Sequence, residues 1–310
     1  MTEETPPPEV VRQAQAWGLE LIERTHTRYS HTWFAIQDGR HVVLKVGDGA
    51  ARRREAAALR AYAGGPATPV ACRLLAEADG ALLLERILLG DDLRPLAASD
   101  DDAATAAAGE VYARMHRAVA GLDRPPDLPE LRDVSVAFDI YWARPDVGDG
   151  NAGSVGAARG PEPLPRRLVG RAEAMFAELA VPAADDNVLH GDAHHQNLIR
   201  DGMGTPDDVW RVIDPHGWWG DPTFDAVSLM LNLHGSLALS RRSHDDLRAQ
   251  AHRRAAILAE VVGLDRERLL DWTFVAGIVA ELWCLEDHGF VQGGPLRLAE
   301  ALAQNGNGRV

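Results

Sequence analysis

Five side chains in this sequence have the types and spacing needed to handle phosphate and a metal ion. The stretch "HVVLKVGD", residues 41–48, carries the only lysine of the chain: of 32 basic residues, 31 are arginine and one is Lys45. A lysine is a compact point charge on a flexible stem and an arginine a rigid planar fork, so a site fitted to one does not fit the other. Random placement among the basic positions would put the lysine here about one time in thirty. Glu55 lies ten residues on, in a segment of helical composition, where it could hold that ammonium. The second group lies in "VLHGDAHHQNLIRDGMGTPDDVWRVIDPHG", residues 188–217. Asp192 and Asn197 are four intervening residues apart, and Asp214 ends a later apolar strand. A hairpin turning at 202–208 brings Asn197 and Asp214 back toward Asp192. Three oxygen-bearing side chains then converge, a donor set that suits magnesium, which commonly takes its remaining ligands from water and phosphate oxygens.

The elements that must position these groups divide at about residue 86. A first helix is expected over roughly "PPEVVRQAQAWGLELI", followed by strands at "THTRYS", "HTWFAIQD" and "GRHVVLKV", with Asp38-Gly39 as the turn between the last two. A helix follows that starts after Gly49 and stops before Gly64-Gly65, and "CRLLAEADGALLLER" reads as a second hairpin about Asp79-Gly80. Beyond "ILLGDDL" helical patterns dominate, at roughly 100–120, 164–180, 223–240, 243–262 and 266–288, interrupted by one short strand pair. Residues 144–163 are rich in Gly, Ala and Pro without periodicity, and a mobile loop is expected there. The expected division is a nucleotide-binding lobe over 1–86 and a helical lobe with the catalytic loop and acceptor site over 87–310.

The stretches "VVLKV", "REAAALRAY", "LLLER", "HGDAHHQN" and "VIDPHGWWGDPTFD" run in order from residue 42 to 225. They resemble the aminoglycoside phosphotransferase family, and most closely its branch of streptomycin and hydroxyurea resistance kinases; the spacing of Asp192 and Asn197 matches the D-x-x-x-x-N of a kinase catalytic loop. The resemblance implies an α+β, protein-kinase-like bilobal fold, with a small antiparallel-sheet N-lobe containing one helix and a larger, mainly helical C-lobe. It implies ATP and Mg2+ as cofactors and a hydroxylated small molecule, such as an aminoglycoside or amino sugar, as phosphate acceptor. By the same resemblance Asp192 takes the acceptor's proton, Asn197 and Asp214 hold magnesium, and Lys45 with Glu55 positions the phosphates. The backbone around Glu85 to Ile87 would meet the adenine. The family's phosphate-covering loop corresponds to "THTRYSHTW", which has no glycine, so close backbone approach is not provided there and Ser30 is the candidate side-chain contact. In the family the acceptor lies between the catalytic loop and the C-terminal helices, which directs attention to Asp139, Trp142, Glu281, Trp283, Glu286, Asp287 and His288.

Two other readings compete. A nucleotide-binding pseudokinase without transfer activity would account for the glycine-free loop. A metal-dependent hydrolase would use the "HxDxHH" cluster of His190, Asp192, His194 and His195, but leaves Lys45, Asn197 and Asp214 without a task. His190 reads more simply as a buried scaffold of its loop. Asp221 and Asp225 read as structural, Trp218 and Trp219 as packing residues.

Composition limits the partners. The chain has 310 residues, 33.6 kDa, and 46% hydrophobic content, enough for two lobes. Its net charge of 32 minus 46, or -14, would repel nucleic acid and attract a cationic small molecule. No window has the apolar length to span a bilayer, and "MTEETPPPEV" is unlike a secretory leader, so a cytoplasmic protein, monomer or homodimer, is expected. Cys72 and Cys284 are isolated and read as packing residues.

Overall fold

The computed structural model describes residues 5–25, 30–64, 69–88, 90–144, 164–202, 205, 208–232 and 242–304. Among the described residues no helix is long and apolar enough to cross a membrane. The loop expected over 144–163 lies almost wholly outside the described residues, as does most of the strand expected at "THTRYS".

The chain forms two compact units, the first made of Met1–Pro95, Glu110–Pro129 and Asn187–Trp219. It contains a five-stranded sheet of β1 (Glu20–Thr25), β2 (Ser30–Gln37), β3 (Arg40–Gly47), β4 (Leu74–Ala78) and β5 (Ala81–Glu85), in the order β1-β2-β3-β5-β4. Every neighbouring pair is antiparallel. The strand period of two sorts the side chains. Trp33, Leu44, Val46 and Ala81 bury one face against Val10 and Ala14 of helix α1 (Pro8–Ala16). Phe34, Val43 and Lys45 alternate with these and share the other face, which the register fixes by pairing Phe34 with Val43 and Lys45 with Leu82. Helix α2 (Gly49–Ala63) follows β3 after an Asp48 cap whose side chain accepts the Ala51 N–H at 2.7 Å. Helix α1 is shorter than expected: it ends at Ala16, and "ELIERT" is strand β1.

The rest of the first unit is built of short strands: β6 (Asn187–Leu189), β7 (Leu198–Asp201), β8 (Val209–Val212) and β9 (Trp218–Gly220). β7 and β8 form an antiparallel hairpin, and β6 pairs with β9.

The second unit, Leu96–Gly109, Glu130–Asp186 and Gly220–Val310, is helical. After α3 (Arg94–Ser99) and α4 (Asp101–Val119), each of which has one end in the first unit, come α5 (Val136–Trp142), α6 (Arg166–Leu179), α7 (Val227–Leu231), α8 (His244–Val262), α9 (Arg266–His288) and α10 (Gly294–Ala303). α9 is apolar around most of its circumference and buries Leu269, Trp272, Phe274, Ile278 and Leu282, the mark of a central helix. Of the helix expected over 223–240, the described part is a 3-10 turn, Pro222–Ala226, running into α7; residues 233–240 lie outside the described residues.

Candidate active site

Lys45, Glu55, Asp192, Asn197 and Asp214 all belong to the first unit. Lys45 is only 4% exposed. Its Nζ donates to Glu55 Oε1 at 2.8 Å and also to Asp214 Oδ1, 169 residues away in sequence. The single lysine is therefore the link between the sheet, α2 and the end of the β7–β8 hairpin. Burial pushes the Glu55 carboxyl above its usual range, with Lys45 pulling against that shift. Burial acts the same way on Asp214, but there Lys45 outweighs it through charge and hydrogen bond, holding the carboxyl at about 2.

Backbone geometry directs Asp214. It has φ 61°, one of two non-glycine residues with positive φ among those described. Such conformations concentrate at functional sites, where surrounding structure must hold them. The holding contacts run through His190, which is fully buried. His190 Nδ1 accepts the Asp192 N–H at 3.2 Å and the other ring nitrogen meets Ile213 O at 2.9 Å, so Nε2 carries the proton and donates to that carbonyl. One imidazole thus fixes the backbone of Asp192 to that of the residue before Asp214. The Ile213 N–H also donates to Asn197 O at 3.0 Å, and the His216 N–H to His190 O at 2.8 Å. Tyr112 of α4 braces the loop by donating to Ala193 O at 2.6 Å.

Asn197 donates Nδ2 to the Asp192 backbone O at 2.8 Å. That bond turns the amide so that Oδ1 is the end able to meet a cation. Asp192 Oδ2 lies 3.4 Å from Asn197 Nδ2 and 3.6 and 3.7 Å from Nε2 of His194 and His216. An amide oxygen and the Asp214 carboxylate fit magnesium, a hard cation that takes few protein ligands and completes its shell with phosphate oxygens and water. The "HxDxHH" hydrolase site is not assembled. Both ring nitrogens of His190 are committed to the loop, and among the described residues no three His, Cys, Asp or Glu side chains could hold a metal ion.

Gly217, three residues beyond Asp214, explains part of the "IDPHG" pattern. Its φ is 72°, and a Cβ there would lie 2.6 Å from the Arg54 carbonyl O of α2 and 2.9 Å from Leu128. Only glycine lets this turn close on the helix that carries Glu55. Gly217→Ala is expected to lower stability by about 2–4 kcal/mol through left-handed strain and overpacking, read as an earlier urea midpoint.

Beside this cluster, in the same unit, is a cavity of about 570 Å3 lined by Phe34, Val43, Ile87, Gly90, Ile199 and Ile213, with Glu85 and Arg86 at its wall. The Arg86 guanidinium lies 3.6 Å from the Phe34 ring centroid, a cation–π contact. The Glu85 side chain is committed to Arg211 at 2.5 Å, and Arg211 also reaches Asp201 of the hairpin at 2.6 Å; Arg211 holds the Glu85 carboxyl below its usual range despite partial burial. Ser30 bonds to Thr32 through their hydroxyls at 2.9 Å, and residues 26–29 beside it lie outside the described residues.

A model of the aminoglycoside/hydroxyurea antibiotic resistance kinase family matches residues 19–288. The chain belongs to that family. As a family member it is a small-molecule phosphotransferase. It is 30% identical over 218 residues to a streptomycin 3''-kinase of Klebsiella pneumoniae, covering 70% of this chain and 71% of that protein. It is 31% identical over 236 residues to a hydroxyurea phosphotransferase of Kitasatospora aureofaciens, covering 75% of this chain but 58% of that one. A solved structure of a thermostable mutant of aminoglycoside phosphotransferase APH(4)-Ia, in ternary complex with ADP and hygromycin B, superposes with a TM-score of 0.61 at 17% identity, over 97% of this kinase and 99% of that chain. The fold is accordingly α+β and of the aminoglycoside phosphotransferase type, as expected.

The acceptor-side candidates of this kinase lie in the second unit. Asp139, Trp283, Glu286, Asp287 and His288 are exposed. Trp142 is half-buried, with its indole N–H donating to Glu173 at 2.9 Å. Glu281 requires correction. It is fully buried, and its two oxygens accept the N–H groups of Gln292, Gly293 and Leu296 at 2.6, 2.7 and 3.1 Å. It caps the start of α10 and has no surface to offer an acceptor. Asp221 is structural: it accepts from Thr223 N at 2.8 Å and binds Arg268 Nε at 2.6 Å. Asp225 is fully buried in the same segment. Sequence reading missed the inward-turned Arg52, hidden in a run of three arginines, and His216, whose place beside Asp192 carries no periodic signal.

Proposed function

We propose that this kinase transfers the γ-phosphoryl group of ATP to a hydroxyl of an aminoglycoside-like molecule, an amino sugar or another hydroxylated small molecule, with magnesium as the metal. The observation that carries the reading is the bridging of Glu55 and Asp214 by the only lysine, next to a loop in which Asp192 and Asn197 share hydrogen bonds. Asp192 orients the acceptor hydroxyl and takes its proton as the oxygen attacks phosphorus and the bond to the β-phosphate oxygen breaks. Lys45, held by Glu55, neutralises the phosphates. Asn197 and Asp214 hold magnesium, which when bound offsets phosphate charge. The cavity at Ile87 receives the base, with Ser30 beside the phosphates. Positioning and charge neutralisation supply most of the acceleration in reactions of this type.

Asp139, Trp142, Trp283 and Asp287 serve the acceptor. Carboxylates with aromatic rings suit an aminoglycoside, and the charge of -14 favours a cation. The relatives named for streptomycin and hydroxyurea support both as first candidates. Purified protein with ATP and magnesium is expected to release ADP only when a suitable member of a panel of aminoglycosides, amino sugars and hydroxyurea is added. ADP release indifferent to every acceptor would contradict the reading.

A further inference from the structure

In "ARRRE", Arg52 is the arginine that turns inward. Its side chain is nine-tenths buried, and Nη1 lies 2.7 Å from Glu55 Oε2, one helical turn on. Lys45 uses the other oxygen of the same carboxylate. The Arg52 contact is ionic rather than directed: neither Nη1 nor Glu55 Oε2 meets hydrogen-bond angles, and Arg52 Nε has no hydrogen-bond partner among the described residues. A buried guanidinium with unmatched N–H groups is costly for packing alone. Charge balance accounts for it. Lys45 touches two carboxylates, Glu55 and Asp214, and Arg52 makes the set two cations against two anions. Without Arg52, a lone ammonium would be drawn between both carboxylates and a triphosphate would enter a net negative pocket.

We propose that Arg52 is a positioning residue of the nucleotide site: it takes one oxygen of Glu55 and balances its charge, so that Lys45 is available to the triphosphate. Arg52 acts through Glu55 and Lys45 and does not itself touch the nucleotide. The inference rests on the nucleotide reading above.

The test is binding of a fluorescent ATP analogue with magnesium and no acceptor, on protein whose fold is checked by near-UV circular dichroism. Arg52→Gln is expected to weaken binding about tenfold or more, as loss of a charge close to a polyanion would. Arg52→Lys, which keeps the charge, is expected to recover most of it. Arg53→Gln, on the exposed side of α2 where Arg53 faces Asp79 at 3.4 Å, is expected to stay within about twofold. Equal binding by wild type and Arg52→Gln, or no recovery in Arg52→Lys, overturns the inference alone. If Arg52→Gln does not fold, Arg52→Lys decides: near wild-type affinity supports the charge role and a collapse in affinity rejects it. A wild-type protein that binds no nucleotide overturns the nucleotide reading and this inference with it.

Discussion

Asp192→Asn is expected to lower kcat by about 10² to 10⁴ while leaving the affinity for Mg·ATP intact, the range typical of removing a positioned general base. The amide has the shape of the carboxylate but cannot take the acceptor's proton. The fold should survive, because the shorter bonds that hold the loop use backbone groups of this residue, and the long bond from Asn197 Nδ2 to its carboxylate, at 3.4 Å, can be accepted by an amide oxygen instead. The Asp192 N–H donates to His190 and its carbonyl accepts from Asn197 Nδ2, and both bonds remain in the variant. Steady-state kinetics with a responsive acceptor, beside nucleotide binding, separates the outcomes. A variant that turns over at the wild-type rate would remove Asp192 from the chemistry.

Lys45→Arg is expected to cost about a hundredfold or more in kcat/KM despite conserving charge, a loss in the range for removing a preorganised stabilising donor. The ammonium fits a buried gap in which it contacts Glu55 and Asp214 at once. A guanidinium is wider and planar, and its fork would have to displace one carboxylate or push back the β3 backbone. In a chain that uses arginine at its 31 other basic positions, retention of lysine here is the feature this experiment addresses. Full activity in Lys45→Arg would mean that shape does not matter at the site.

The parts of the site legible in the sequence were those where residue type alone carries information. A unique lysine, a glutamate ten residues on, and an Asp-Asn-Asp series around a hairpin stand out before any coordinates, and Lys45 does meet Glu55 and Asp214. The hairpins were legible because Asp-Gly turns flank alternating strands. Other features depend on tertiary context. The left-handed backbone of Asp214 follows from the His190 contacts, which no local pattern encodes. Arg52, Arg53 and Arg54 are indistinguishable by composition, and only the pitch of α2 decides which turns inward. Glu281 was misread because the family's acceptor position points to the C-terminal helices without saying which of their faces is wet; α9 is buried on nearly every side. The first three residues of "ELIERT" were absorbed into the first helix because a six-residue strand beginning two residues past Gly18 offers too short an alternation to end it.

The central claim is phosphoryl transfer to a small-molecule hydroxyl, and the product itself tests it most directly. Aminoglycosides and hydroxyurea, incubated with the protein and Mg·ATP, can be analysed by mass spectrometry and phosphorus NMR. The account predicts an acceptor that gains one phosphate monoester, with equimolar ADP, and no such product from Asp192→Asn. Acceptors recovered unchanged while ATP is consumed at equal rates by wild type and Asp192→Asn would contradict it.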